Sequence, residues 1–386
     1  MIKVNNKLIK IGKTVYFGLV YGFAIIGFMF TGVFFAIRWG VTNVSGTVDD
    51  LSDQFQYQAE QNQVLEIVNS VNSNSDLLLD ESKIKTLCSL NELSYIAPKN
   101  VEKILIAKKQ KVSDFTIEGM IFAVETYLLN QQDYKNNVQN CMSNFASRDI
   151  TEQTIENQVK NSSSQDIFPW VNGEKWQTIK ESVVKDDEVI KMAAKAADID
   201  PRLIVSDLIV EQLRVYYSAR ELYEKYFEPL KILSNMNKIS LGVMGIKEAT
   251  AIEIENHLKD KTSVYYLGKN YENILNYGSS EDINTQRYNR FTSNNHYYSY
   301  LYAALYLKQM MNQWKNAGYD ISNRPEIVGT LFNVGFPQSK PNATPKVGGS
   351  KVQIDEKQYT FGRLSYEFFY SGELIDRFPY LTNLKN

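Results

Sequence analysis

Three regimes follow one another along the chain: an unbroken apolar run, a polar stretch with few apolar positions, and a long series of helical stripes. Residues 15–37 contain no charged side chain and are rich in Phe, Ile, Leu, Val and Gly. At a rise of about 1.5 Å per residue this run can cross a hydrocarbon core of about 30 Å, which predicts a transmembrane helix. Residues 48–73 are polar, rich in Gln and Asn, with Leu51, Phe55, Leu65 and Val68 thinly spaced. They read as a stalk helix whose heptad is too ragged for a coiled coil. From 76 to 145 the periodicity strengthens. Ile117, Met120, Ile121, Val124, Tyr127 and Leu128 recur at helical steps and predict a small helical domain. Residues 151–165 are poor in apolar side chains and end in a run of serines, which predicts a linker.

Beyond it, apolar stripes predict helices at 175–184, 187–197, 202–218, 221–233, 248–258, 297–317, 325–332 and 362–376. Asn323 before Pro325 suits a capped helix start, and Gly335 suits its end. Residues 351–354 and 358–361, on either side of a polar turn, predict one short β-hairpin. The chain is therefore read as mainly α, in five parts. These are a cytoplasmic tail (1–14), a transmembrane helix (15–37), a helical stalk and membrane-proximal domain (41–150), the linker (151–165) and a helical domain (166–380).

Charge orients this plan. Lys3, Lys7, Lys10 and Lys13 precede the apolar run, while Asp49, Asp50 and Asp53 follow it. The positive-inside bias then keeps the N-terminus in the cytoplasm and sends the C-terminal domain outside, as a single-pass membrane protein. The alternative is a cleaved signal peptide, whose apolar core usually spans only about 7–15 residues and ends in a small-residue cleavage site that is not seen here. A net charge of −2, with lysines spread among carboxylates, gives no electrostatic footprint for nucleic acid. Cys88 and Cys141 both fall in the external part, where a disulfide is permitted; the sequence leaves a bridge and two buried thiols equally open.

The chemistry concentrates between 200 and 335. In the helix 202–218, Glu211 lies beside the Ile204, Leu208, Val215 stripe and borders a polar side made by Asp207, Arg214 and Ser218. A carboxyl at such a boundary can lean on an apolar wall while lining a cleft, as a general acid requires. The same position also suits a Glu on the solvated edge of a core helix. Next comes Ser240-Leu-Gly-Val-Met-Gly-Ile246, where Gly242 and Gly245 permit a tight turn and Met244 can serve as core filler. Phe332 and Asn333 follow, just before Gly335; Asn333 can offer both a donor and an acceptor, or simply end a helix.

In that order the three elements resemble the lytic transglycosylases of the lysozyme-like superfamily. Those enzymes carry a catalytic Glu at the end of one helix, then a Gly-Leu-Met-Gln-Ile loop, then a Tyr-Asn-x-Gly element. The resemblance covers roughly 180 residues and implies a lysozyme-like helical domain behind the membrane helix and stalk. It also implies cleavage of the MurNAc–GlcNAc bond of peptidoglycan glycan strands with formation of 1,6-anhydro-MurNAc. Glu211 would be the catalytic acid and base, and Ser240, Gly242, Met244, Gly245, Ile246, Phe332 and Asn333 would line the substrate groove. No cofactor and no metal are implied.

This sequence departs from the pattern at several points. Gly245 stands where relatives have Gln, Phe332 where they have Tyr, and Gln212 where many have Ser; Glu211 and Gly242 are 31 positions apart, which implies an inserted helix. The stretch 265–306 holds ten tyrosines. Most suit core and interface positions at helical spacing, and Tyr288 is the candidate for the groove. With only His257 and His296, and no zinc, EF-hand, Walker or dinucleotide spacing, the other common hydrolytic and cofactor chemistries find no support. The alternative function is a catalytically inactive wall-binding or scaffolding module of an envelope complex.

Overall fold

A computed structural model of the chain describes residues 46–70, 75–160, 162, 164–217, 240–278 and 282–381, together with 16–18, 20–24, 27, 28 and 31. Most of the apolar run, the cytoplasmic tail and the helix expected at 221–233 lie outside the described residues. Among the described residues no helix is long and apolar enough to cross a membrane.

The molecule is mainly helical. After a two-residue strand, β1 (Thr47–Val48), come α1 (Ser52–Ser70), α2 (Ser75–Ile96), α3 (Pro98–Lys109), α4 (Asp114–Glu125), α5 (Gln131–Ser143) and α6 (Glu152–Val159). Together α2 to α6 form one layer. Ser113 caps α4 by accepting from the Thr116 amide, and Leu90, Leu93, Val101, Ile104 and Met120 meet inside. Cys88 of α2 and Cys141 of α5 are joined in a disulfide with Cα atoms 5.7 Å apart. That bridge closes a loop across 53 positions and, in the chain-entropy account, contributes about 4 kcal/mol.

The second layer holds α7 (Glu174–Lys185), α8 (Asp187–Ala197), α9 (Pro201–Tyr217), the hairpin β2 (Ser240–Leu241) and β3 (Ile246–Lys247), and α10 (Glu248–Lys259). It continues through α11 (Ile283–Thr292), α12 (Tyr297–Asn316), α13 (Pro325–Val334), β4 (Gly348–Gly349), the hairpin β5 (Lys351–Ile354) and β6 (Lys357–Thr360), and α14 (Phe361–Tyr370). Apart from α11, which was not expected, and α14, which ends at Tyr370 rather than at 376, the described helices of this layer lie within two residues of the predicted stripes, and the β5–β6 hairpin pairs Lys351 with Thr360 and Ile354 with Lys357. Helix α9 is the axis of this layer: α7, α8, α13 and α14 all pack on it. Arg202 at its start is fully buried and donates to the carbonyls of Phe368, Phe369, Glu373 and Phe378, fastening α9 to the chain end.

Two expectations are corrected. Residues 151–165 are not a linker. Thr151 and Thr154 form a capping box, and Ile155 and Val159, one turn apart in α6, are buried against the first layer. Averaged composition hides two apolar residues at the right spacing. Nor is 41–150 a stalk separate from 166–380. β1 pairs with β4, Thr47 opposite Gly349, and the Phe55 ring lies 4.7 Å from Tyr366. Lys103 bridges Asp166 and Glu373 at 2.5 Å each, while the Tyr127 hydroxyl donates to Glu367 at 2.7 Å. Both layers close one hydrophobic core.

Candidate functional site

Helix α9 begins after Asp200, whose Oδ1 accepts the Arg202 amide at 2.8 Å, with Pro201 in the first turn. It is apolar nearly all round because it is surrounded, so the polar side read from the sequence is largely interior. Asp207 is 1% exposed and accepts from Ser365 of α14 at 3.0 Å; its Oδ2 has no partner among the described residues. Burial pushes the Asp207 carboxyl well above the usual range, against the Ser365 bond and with the help of the Glu211 charge.

Glu211, one turn further on, is 5% exposed. Its Oε2 accepts from Arg214 twice, from Nη2 at 2.5 Å and from Nε at 3.1 Å. The β2–β3 hairpin comes up against this carboxylate. Gly242 and Gly245 hold φ of +68° and +62° at the two ends of its turn, and Gln212 donates to the Val243 carbonyl at 2.9 Å, tying turn to helix. A Cβ at Gly245 would lie 3.0 Å from Glu211 Oε2 and 3.1 Å from its Cδ. A Cβ at Gly242 would lie 2.3 Å from Ser299 Oγ and 3.1 Å from the Phe291 carbonyl oxygen. Glycine is required at both positions, by conformation and by space. A side chain at 245 would have to adopt left-handed backbone and push the Glu211 carboxylate aside by a few tenths of an ångström.

The turn rests on a polar network under α10, α11 and α12. Glu255 accepts from Arg287 at 2.9 and 2.8 Å and from the Tyr277 and Tyr302 hydroxyls at 2.5 Å each. Burial opposes ionisation there, yet these four donors hold the Glu255 carboxyl below its usual range. Phe291, whose carbonyl faces Gly242, sets its ring 4.8 Å from that of Tyr302 at a tilt of 42°.

The structure thus brings Glu211 together with Gly245, and through Gln212 with the whole turn. Met244 is fully buried and Ile246 is 4% exposed, so both anchor the turn rather than face outward. The Ser240 backbone pairs with Lys247. Phe332 is also interior, packed on Tyr306 and stacked on Phe361, in contrast to the groove position the resemblance implies. Asn333 accepts the Ser350 amide at 2.7 Å, which fixes the β4–β5 connection. Tyr288 is 39% exposed on α11, beside the buried Arg287. Reasoning from sequence missed two partners of the site. Arg214 as the clasp of Glu211 was signalled by its i+3 spacing, whereas Gln212 as a tether to residue 243 had no signal at all. Among the described residues no group of His, Cys, Asp or Glu comes together as a metal site.

A cavity of about 970 Å³ opens elsewhere, lined at the beginning of α9 by Asp200 and Leu203. Glu211 does not line it and lies about 12 Å further along the helix axis, at about 1.5 Å per residue. Shape and chemistry therefore point to different places. Comparison with protein-family models, curated proteins and solved structures returned no match.

Proposed function

We propose that this chain is a membrane-anchored lytic transglycosylase with a lysozyme-like helical domain, held outside the cytoplasm by the N-terminal apolar run. Its substrate is the glycan strand of peptidoglycan, cut between MurNAc and GlcNAc. The observation that carries this reading is the contact between the Glu211 carboxylate and the glycine turn 242–245, which unites two of the three motifs in one place. The Cys88–Cys141 bridge supports the compartment, because such bonds persist in oxidising surroundings.

In this mechanism Glu211 gives a proton to the bridging oxygen as the C1–O bond breaks and GlcNAc leaves as an alcohol. The carboxylate then takes the proton of the muramyl C6 hydroxyl while that oxygen closes on C1. The 1,6-anhydro ring forms, the proton returns to Glu211, and no water is consumed. Arg214 holds Oε2 and orients the carboxyl.

Glu211→Gln keeps the shape and removes the acid. It is expected to cut the yield of anhydro-muropeptides, read by mass spectrometry, by about 10²–10⁴-fold while glycan binding in a pull-down persists. Equal yields from the two proteins would remove Glu211 from the mechanism. A second reading, an inactive wall-binding module, is favoured by the buried Phe332 and by the Asn333 oxygen engaged with Ser350. Strand binding without any product from the wild type would select it.

A further inference from the structure

A second pair of chemically matched side chains meets at the far end of α10 from the β2–β3 turn. His257 lies in the last turn of α10, and Ser263 lies in the loop that follows. Ser263 Oγ is 2.8 Å from His257 Nδ1. Both side chains are half-buried, so the pair is reachable from solvent. Six positions separate them, a spacing that belongs to no hydrolase motif, and nothing in the sequence announces the pair.

Both partners are held from several sides. The Ser263 amide donates to the Asp260 carbonyl at 3.0 Å, and the Ser263 carbonyl accepts from the Tyr266 amide at 3.1 Å. Asp260 Oδ1 accepts from the amide and the hydroxyl of Thr262 at 2.9 and 2.6 Å. The loop is therefore tied down before any ligand arrives. The imidazole is braced by rings: Tyr265 lies 4.7 Å away at a tilt of 46°, and Phe336 lies 4.9 Å away, edge to face. The Tyr265 hydroxyl donates to the Phe336 carbonyl at 3.1 Å, which locks that brace.

The hydrogen bonds assign the roles. Ser263 Oγ accepts from the Tyr265 amide at 3.1 Å, which leaves its own hydrogen to donate to Nδ1, with the ring proton on Nε2. Burial lowers the His257 pKa from 6.5, against the nearby charge of the exposed Asp260, so the ring is a neutral acceptor at pH 7. Next in the chain, the Val264 amide has no acceptor among the described residues, and Val264 is exposed. A hydroxyl on a neutral imidazole, with a backbone donor beside it, is the geometry of nucleophile, base and oxyanion donor.

We propose that Ser263 is a nucleophile toward short acyl esters, with His257 as its base and the Val264 amide as a donor to the oxyanion. Oγ bonds to the acyl carbon as its proton passes to Nδ1. The bond from that carbon to the alcohol oxygen then breaks, and the imidazolium returns the proton to the leaving oxygen. Water, deprotonated at the same Nδ1, attacks the acyl-serine; the acid leaves and Ser263 recovers its proton. The exposed Thr262 and Val264 on either side suit a small acyl group such as acetyl.

The full chain, in non-ionic detergent, is treated with 4-nitrophenyl acetate and separately with a fluorophosphonate, followed by peptide mass spectrometry. A burst of nitrophenolate and phosphonylation at Ser263 are expected, and both are lost in Ser263→Ala. His257→Gln, or His257→Asn if only that variant melts like the wild type, is expected to slow labelling at Ser263 by about 10²–10⁴-fold. In the wild type the labelling rate is expected to climb with pH to a plateau, with its midpoint below 6.5, because the neutral ring is the working form. The proposal is overturned if Ser263 is not labelled, if a folded His257 variant labels as fast as the wild type, if the pH limb is missing, or if urea-unfolded chain labels Ser263 equally well. The glycan reaction plays no part in these readouts.

Discussion

Asp200 and Glu211 stand toward opposite ends of one helix and meet burial differently. Glu211 has a guanidinium on Oε2, and Gly245 comes closest to that same oxygen. Asp200 has a backbone amide and no cation, and burial pushes its carboxyl up to about 6 from 3.8. The consequence has a definite sign. A carboxyl raised in the folded state contributes its full stability below about pH 4 and loses it as the pH climbs through about 6. Asn caps a helix as well as Asp and does not ionise. Asp200→Asn is therefore expected to match the wild type near pH 4 and to exceed it at pH 8 by on the order of 1–3 kcal/mol, the partial exposure of the group favouring the lower end. Urea titrations at the two pH values check this. A variant less stable at both would show that the aspartate charge is an asset to the fold.

At the scale of elements, the β2–β3 hairpin is placed by its turn and not by its strands, which are two residues each. The turn needs left-handed backbone at Gly245, and a Cβ there would crowd the Glu211 carboxylate at 3.0 Å. Gly245→Ala is expected to destabilise the protein by about 1–3 kcal/mol, from the left-handed conformation together with crowding of the carboxylate. It is also expected to lower product yield at matched stability, since Glu211 must move. Unchanged stability and yield would mean that the hairpin does not press on the helix.

The long stripes of α8, α9, α12 and α13 were legible in the sequence because each repeats an apolar face over several turns. Helix α6 was not, since its docking depends on Ile155 and Val159 alone, and α11 was missed because only Arg287 and Phe291 are buried on it. Within the site, the meeting of Glu211 with the glycine turn was legible from motif order. The clasp by Arg214 and the tether by Gln212 are side-chain geometry, which spacing alone does not specify.

At the scale of the whole molecule, the two layers hold each other in place. Phe55 and Ala59, two sparse apolar residues in a polar stretch, are buried, and Phe55 lies on Tyr366 of α14. Gly119 lies under the Tyr370 ring and accepts from the Tyr366 hydroxyl at 3.2 Å. A fragment spanning 166–380 would expose these faces and leave Asp166, Glu367 and Glu373 without Lys103 and Tyr127. Glu367 keeps Arg363 and Glu373 keeps Lys180, but Asp166 loses its cation, and leaving one buried charge unpaired typically costs about 3–5 kcal/mol, a large share of the stability of a domain. The fragment is expected to be insoluble or to melt without a cooperative transition. A sharp calorimetric transition from it would restore the boundary at 151–165.

If Glu211 serves as acid and then base, as proposed, the cleavage uses no water. Digestion of purified glycan strands by the full chain in H₂¹⁸O, followed by mass spectrometry of the released ends, tests it most directly. The account predicts 1,6-anhydro-MurNAc termini that carry no ¹⁸O and that disappear with Glu211→Gln. Reducing MurNAc ends labelled with ¹⁸O would make the enzyme a hydrolase, and strands left intact by the wild type would contradict catalysis altogether.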